Sequence, residues 1–290
     1  MSSLSPSTDP ALASGLKGHD TVIAPGQALR GLSPATLWRF RELAWVLAKR
    51  DFSVRYRQTV LGVAWAVIQP LVSMVVLHLF FGKAMGLEDK VGGAAYPVFL
   101  FAGLLPWTLF TSTVTSATNS LIANRHILTK VYFPRILLPV SAAAVPLVDL
   151  AIALVVLFGL MVTLGVAFSW SLVALPLALL GAVLSAVGVG LGLAAMTVWF
   201  RDIRHLLPFL LQTWFFVTPV IYPPTIIPEV YRGYLNLNPM TGVIEAFRAA
   251  ILGGSLDPMT LLMPIAIGLL LVVIGAAMFV RTERRFADVI

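Results

Sequence analysis

Leu172 to Phe200 reads LVALPLALLGAVLSAVGVGLGLAAMTVWF and contains no Asp, Glu, Lys or Arg. A helix needs about 20 apolar residues to cross the hydrocarbon core of a bilayer. This stretch exceeds that length, and it is apolar all round, as a lipid-embedded helix is. Working outward, similar runs occupy residues 58–82, 96–118, 136–168, 206–222 and 259–280. Together with 172–200 they predict an all-α membrane protein with six transmembrane helices. The run at 206–222 is short for a span, and the run at 136–168 is longer than one straight crossing needs.

The composition of the 290 residues supports this class. Apolar residues make up 59% and charged residues 11%, with a mean hydropathy of +0.92. Soluble domains carry about a quarter charged residues, so a soluble globular fold is excluded. Disorder is excluded too, because its signature is low hydrophobicity. Zero cysteines rule out disulfides, thiolate metal sites and cysteine nucleophiles. The net charge of +7 does not mark a nucleic-acid binder, because the charges sit at the edges of apolar runs rather than on one solvated face.

Those edge charges set an orientation. Sixteen Lys and Arg fall in the segment up to Arg57, the loops after the second and fourth runs, and the C-terminus. Four (Lys83, Lys90, Arg232 and Arg248) fall on the other side. The positive-inside rule therefore places both termini in the cytoplasm of a multi-pass inner-membrane protein. Residues 1–32 lack the apolar core of a cleaved signal peptide. They read as a flexible cytoplasmic tail rich in Ser, Pro, Gly and Ala.

Residues 33–57 carry too many charges to cross. Ser33-Pro34 has the form of a helix start. On a helical wheel Arg39, Glu42, Lys49, Arg50, Ser53 and Arg57 share one arc, and Leu37, Trp38, Phe40, Leu43, Trp45, Leu47 and Phe52 lie on the rest. This predicts an N-terminal amphipathic interfacial helix. It serves either as an orientation anchor or as a docking surface for a cytoplasmic protein. Arg41, Asp51 and Arg55 interrupt the apolar face, which favours a protein contact, since lipid would leave them unpaired.

Residues 223–257 do not read as an ordinary loop. Pro219, Pro223, Pro224 and Pro228 break the chain, and two short apolar stretches flank Asn238-Pro239. Each is too short to cross, so a re-entrant outer helical hairpin between helices five and six is expected, beside a cavity rather than lipid.

Chemistry-bearing motifs are sparse. Lys83 follows Gly82 but is followed by Ala84, so the chain has no phosphate-binding loop of the Walker A kind. No serine-hydrolase elbow or zinc-protease motif occurs, and the four histidines lack ligand spacing. No catalytic, cofactor-binding or metal-ligating residue is therefore assigned. Asp149 is the one carboxylate deep in a predicted span, and such a residue is a functional candidate by default. Pro146 lies close by and no basic residue sits inside a core span, so a structural role at a kink is expected ahead of proton coupling. Trp107, Phe110, Trp214, Phe215 and Tyr222 form an aromatic group. They read either as an interfacial belt or as a stacking surface for sugar rings in a partly wet path.

Ordered strings now add a resemblance. They are Lys49-Arg50-Asp51-Phe52-Ser53-Val54-Arg55-Tyr56-Arg57-Gln58, Leu61-Gly62-Val63-Ala64-Trp65 with Gln69-Pro70, Gly103-Leu104-Leu105-Pro106-Trp107, Tyr132-Phe133-Pro134-Arg135, Phe200-Arg201-Asp202-Ile203-Arg204, Thr218-Pro219-Val220-Ile221-Tyr222 and Leu237-Asn238-Pro239-Met240. In this order they resemble the ABC-2 type polysaccharide export permeases, over residues 33–290. The resemblance implies a homodimer working with two copies of a separate ABC ATPase subunit, which holds the ATP and Mg. It implies a lipid-linked polysaccharide such as O-antigen, teichoic acid or capsule as cargo. It also implies that the chain is a transport subunit and no enzyme. Arg50, Arg55, Arg57, Asn124, Arg125, Thr129, Lys130 and Tyr132 would couple to the ATPase. Trp107, Phe110, Trp214, Phe215 and Tyr222 would line the translocation path, and the hairpin would form the outer gate. A drug or small-lipid exporter of the same fold stays open, as does an intramembrane enzyme built around Asp149.

Overall fold

The computed structural model describes residues 38–57, 62–91, 95–128, 133–235, 238–254 and 257–283. Among them every regular element is helical. Helix α1 is Arg41–Tyr56, and α2 is the composite helix Gly62–Ala84, whose last turns (His78–Ala84) are π-helical. A short α3 (Leu87–Val91) precedes α4 (Tyr96–Ala123), and α5 (Arg125–Leu128) follows it. Then come α6 (Leu137–Thr163), α7 (Trp170–Trp199), α8 (Ile203–Val217), α9 (Glu229–Leu235), α10 (Pro239–Leu252) and α11 (Pro258–Glu283).

Five of these helices (α2, α4, α6, α7 and α11) are long and apolar enough to cross a membrane. In hydrocarbon the backbone must satisfy its own hydrogen bonds, which makes helices the form available to such sequences. The segment expected at 206–222 as another span differs. Its helix α8 has 15 residues, about 22 Å at about 1.5 Å per residue, against a hydrocarbon core of about 30 Å. It stops because Thr218 precedes Pro219 and adopts an extended backbone (φ −86°, ψ 137°), the conformation that proline imposes on its predecessor. The run at 136–168 is also shorter than expected. It is broken at Ala142–Ala143 and its helix ends at Thr163.

Helix α4 is the central post, buried over most of its length and flanked by α7, α6, α10 and α2. The most extensive pairing is α7 with α11. Glycines let their backbones touch. A Cβ on Gly188 would lie 2.5 Å from the Leu271 carbonyl carbon and 2.6 Å from the Val272 nitrogen. Small residues at such crossings are how helices pack where no hydrophobic effect drives them together.

The two ends of the bundle differ. At one end, Leu47 of α1 is buried with Leu121, Phe133, Ile136, Leu137, Val198 and Phe279. At the other, Ser171 donates its hydroxyl to the Ala250 carbonyl of α10. Helix α1 runs beside the first part of α6. It shows Leu47 to the protein, while its Trp45, Val46 and Val54 are exposed, as is Trp38 just before it. The expected helix start at Ser33-Pro34 lies outside the described residues.

Candidate functional site

Four of the five expected path residues form one cluster between α4 and α8. Ring centroids of Trp107 and Phe110 are 5.7 Å apart, Trp107 and Phe215 5.8 Å, Trp107 and Trp214 6.4 Å, and Phe110 and Trp214 5.2 Å in an edge-on arrangement. Spacing by three on α4 puts Trp107 and Phe110 on one face. Within one chain these two rings are covered, with exposures of 6% and 0%, while Trp214 and Phe215 are half-buried. Counted from Tyr96, Trp107 and Phe110 stand about 16 and 21 Å along the helix, near the middle of its 28 residues. Tyr222 is outside this cluster, and its hydroxyl donates to the Phe216 and Val217 carbonyls.

A second group of side chains holds the break after α8. The Trp214 indole N–H donates to Asn238 Oδ1 at 3.0 Å, and the Asn238 amide donates to Thr218 Oγ1 at 2.8 Å. Asn238 also caps α10, accepting from the Met240 N–H, as an Asn before a helix does. Arg248 of α10 donates to the carbonyls of Pro219 at 2.7 Å, Val220 at 2.5 Å and Phe99 at 3.4 Å, and to Glu245 at 3.2 Å. Its guanidinium lies 3.5 Å from the Phe99 ring centroid, a cation–π contact. The Tyr96 hydroxyl donates to the Ile221 carbonyl. Each of residues 218–221 is thus gripped by a side chain from another element. A fixed fork of five donors suits Arg to satisfying several carbonyls at once. In sequence Arg248 reads as an outer-side loop charge, whereas the structure buries it at 4% exposure.

Helix α10 connects these levels. Its Ala250 meets Ser171 in the first turn of α7. A Cβ on its Gly242 would meet Pro264, the residue that Gly181 also approaches. Gly242 to Ala250 covers about 12 Å of rise, so the Asn238 end lies deep, next to the aromatic cluster.

At the opposite end, Arg55 of α1 makes a 3.0 Å ion pair with Asp149 of α6, and the Tyr56 hydroxyl donates to the same carboxylate. This amends the expectation for Asp149. Its basic partner comes from α1 rather than from a span, and one of the charges that interrupts the apolar face of α1 finds protein. Burial, then the bond to Asp149, raises the Tyr56 phenol to about 12, so it stays a donor.

The other coupling candidates scatter. Arg50 pairs with its neighbour Asp51 at 2.6 Å. Arg57 and Arg125 are exposed. Asn124 is buried and donates back to the Ser120 carbonyl, ending α4. Thr129, Lys130 and Tyr132 lie outside the described residues. Sequence reading did not single out Arg204, which donates to Asn119 of α4 at 2.9 Å. Among the described residues no group of His, Asp and Glu has the makings of a metal site.

Comparison with known proteins gives a consistent picture. The model of the ABC-2 type transporter family matches residues 42–252. The "O-antigen export system permease protein RfbA" of Myxococcus xanthus is 33% identical over 259 residues, covering 87% of this chain and 96% of that protein. Its namesake from Klebsiella pneumoniae is 29% identical over 253 residues, covering 86% and 95%. The "Polysialic acid transport protein KpsM" of Escherichia coli is 28% identical over 208 residues, covering 71% and 79%.

Proposed function

The chain belongs to the ABC-2 type transporter family, and from that premise we propose that it is the permease subunit of an exporter of lipid-linked polysaccharide. The observation that carries this is the near full-length similarity to permeases named for O-antigen export. It favours a polymer over the drug or small-lipid alternative, and a transport subunit over an enzyme.

The geometry supplies the parts such a subunit needs. Hydroxylated sugars are costly to desolvate in hydrocarbon, so they need a path lined by groups that are apolar in body and polar at the tip. In the cluster of Trp107, Phe110, Trp214 and Phe215 the two indoles are of this kind, and the two phenyl rings add flat apolar faces. In the working protein a second copy of the chain would complete the path. The exposed apolar residues Leu206, Phe209, Leu210 and Phe216 of α8 offer it a surface.

Helices α9 and α10 form the re-entrant outer gate in this reading, with Asn238 at the buried tip above the aromatic cluster. In this reading helix α8 makes the sixth crossing and ends in the turn at residues 218–222. The helix rises about 22 Å, less than a core about 30 Å thick, so the turn lies at membrane depth, where Asn238, Arg248 and Tyr96 satisfy its polar groups. Six crossings return the C-terminus to the cytoplasm, in accord with the charge distribution.

The ATPase is a separate subunit, two copies per dimer, which binds ATP and Mg. It would push on the loop containing Asn124, Arg125, Thr129, Lys130 and Tyr132 and on α1, the amphipathic interfacial helix. The Arg55–Asp149 pair would pass the push from α1 to α6, and Arg204–Asn119 would link the first turn of α8 to α4.

Deleting the gene in its host and fractionating lipid-linked glycan tests this. The expected result is polymer accumulating on its lipid carrier in the cytoplasmic leaflet, with surface glycan lost and restored by the wild-type gene. Unchanged surface glycan in the deletion strain would refute the reading.

A further inference from the structure

The Arg55–Asp149 pair borders a cavity of about 210 Å³ between the C-terminal end of α1 and helices α2, α4 and α6. Gln69, Trp65, Tyr56 and Ser112 also line it. One water takes about 30 Å³ of liquid, so the space suits a polar group of several atoms. Counted from the far ends of their helices at Tyr96 and Thr163, Ser112 and Asp149 lie about 24 and 21 Å along the rise. That is between the middle and the α1-side border of a core about 30 Å thick. Trp65 beside it is half exposed, as aromatic residues at headgroup depth are.

The pair is not used up by its internal contacts. A carboxylate accepts at about four positions and a guanidinium has about five donor hydrogens. Among the described residues Asp149 pairs with Arg55 and accepts one bond from Tyr56, and Arg55 spends one amino group on Asp149. The side chain of Arg55 is 41% exposed and that of Asp149 13%. The cavity therefore presents a spare cationic donor and a spare anionic acceptor side by side. A purely anionic ligand would meet the Asp149 carboxylate, and a purely cationic one the Arg55 guanidinium. A headgroup carrying both a phosphate and an ammonium satisfies both.

We propose that this cavity binds the headgroup of phosphatidylethanolamine from the adjoining leaflet, with the lipid phosphate on Arg55 and its primary ammonium on Asp149. The ammonium has three hydrogens for the carboxylate. A trimethylated ammonium has none, and a glycerol headgroup has no positive charge. The inference does not depend on the identity of the cargo.

The test is native mass spectrometry of the full chain, purified with whatever subunits accompany it, after titration with phosphatidylethanolamine, phosphatidylcholine or phosphatidylglycerol of matched acyl chains. Phosphatidylethanolamine should be retained at least about tenfold more tightly than the other two, the factor carried by one lost charge-assisted hydrogen bond. Asp149→Asn and Arg55→Gln should each abolish the preference. The headgroup series on the wild-type chain decides the matter even where a variant fails to fold. Equal retention of the three lipids, or preference for phosphatidylglycerol, overturns the proposal. So does displacement of phosphatidylethanolamine by lower concentrations of a polyprenyl diphosphate, which would make the cavity a cargo site.

Discussion

Gly188→Ala offers a sharp test of the helix packing. The added methyl carbon would lie 2.5 Å from the Leu271 carbonyl carbon and 2.6 Å from the Val272 nitrogen, and ordinary contact begins at 3.4 Å. Both obstructing atoms are backbone, so no side-chain rotation relieves the clash. Helices α7 and α11 must separate by about 1 Å, and a radial gap of that order forfeits a quarter to a half of each dispersion contact along the crossing. Overpacking of this kind costs about 1–3 kcal/mol. The usual helix-propensity gain of Ala over Gly, about 1 kcal/mol in water, offsets little, because a membrane helix keeps its backbone bonds when it leaves its neighbours. Thermal unfolding of the purified chain in a fixed detergent should show a clearly lowered midpoint for Gly188→Ala. Gly159→Ala is the control, since its methyl meets nothing within 4 Å, and it should match wild type or exceed it slightly. Gly275→Ala, whose methyl would run into the Gly188 carbonyl, should resemble Gly188→Ala. The double variant should fall short of the sum, because one separation relieves both clashes. Equal midpoints for Gly188→Ala and Gly159→Ala would refute the close crossing.

Other substitutions probe the gripped segment and the coupling pair. Arg248→Met leaves the buried Pro219 and Val220 carbonyls without donors, at about 1–3 kcal/mol each, so the unfolding midpoint should drop steeply; an unchanged midpoint would contradict the assignment. Gly103→Ala pushes a methyl to 2.8 Å from the Val220 carbonyl oxygen and 2.7 Å from the Arg248 guanidinium, and protease cleavage within 223–238 should become faster. Trp214→Phe keeps a ring in the cluster but removes the donor to Asn238; surface glycan should decline less than for Trp214→Ala, with both variants present in the membrane at wild-type level. A double-mutant cycle with Arg55→Ala and Asp149→Ala should give a coupling of about 1 kcal/mol, since Arg55 is partly solvated, and zero coupling would dissolve the link between α1 and α6.

The long apolar runs were legible because membrane insertion is a one-dimensional requirement. A segment either has about 20 uncharged residues or it does not, and that can be counted along the chain. Helices α2, α4, α6, α7 and α11 follow from such counting. The length of α8 was not legible in the same way, because apolar residues continue past Thr218 into backbone that Pro219 keeps from being helical. The ABC-2 strings were legible as well, and the family match agrees with them.

What a charge does depends on what it touches, and here only the tertiary structure decided. In sequence Arg248 is one of four basic residues on the sparsely charged side, and Asp149 is an acid without a partner among the spans. In the folded chain Arg248 satisfies three carbonyls brought together from α4 and the segment after α8. Asp149 meets Arg55, which is 94 positions earlier. Burying a charge is tolerable only where fixed dipoles or an opposite charge replace its water. Those partners are a property of which helices pack side by side, so hydropathy along the chain named the spans, and helix neighbours assigned Arg248 and Asp149 their roles.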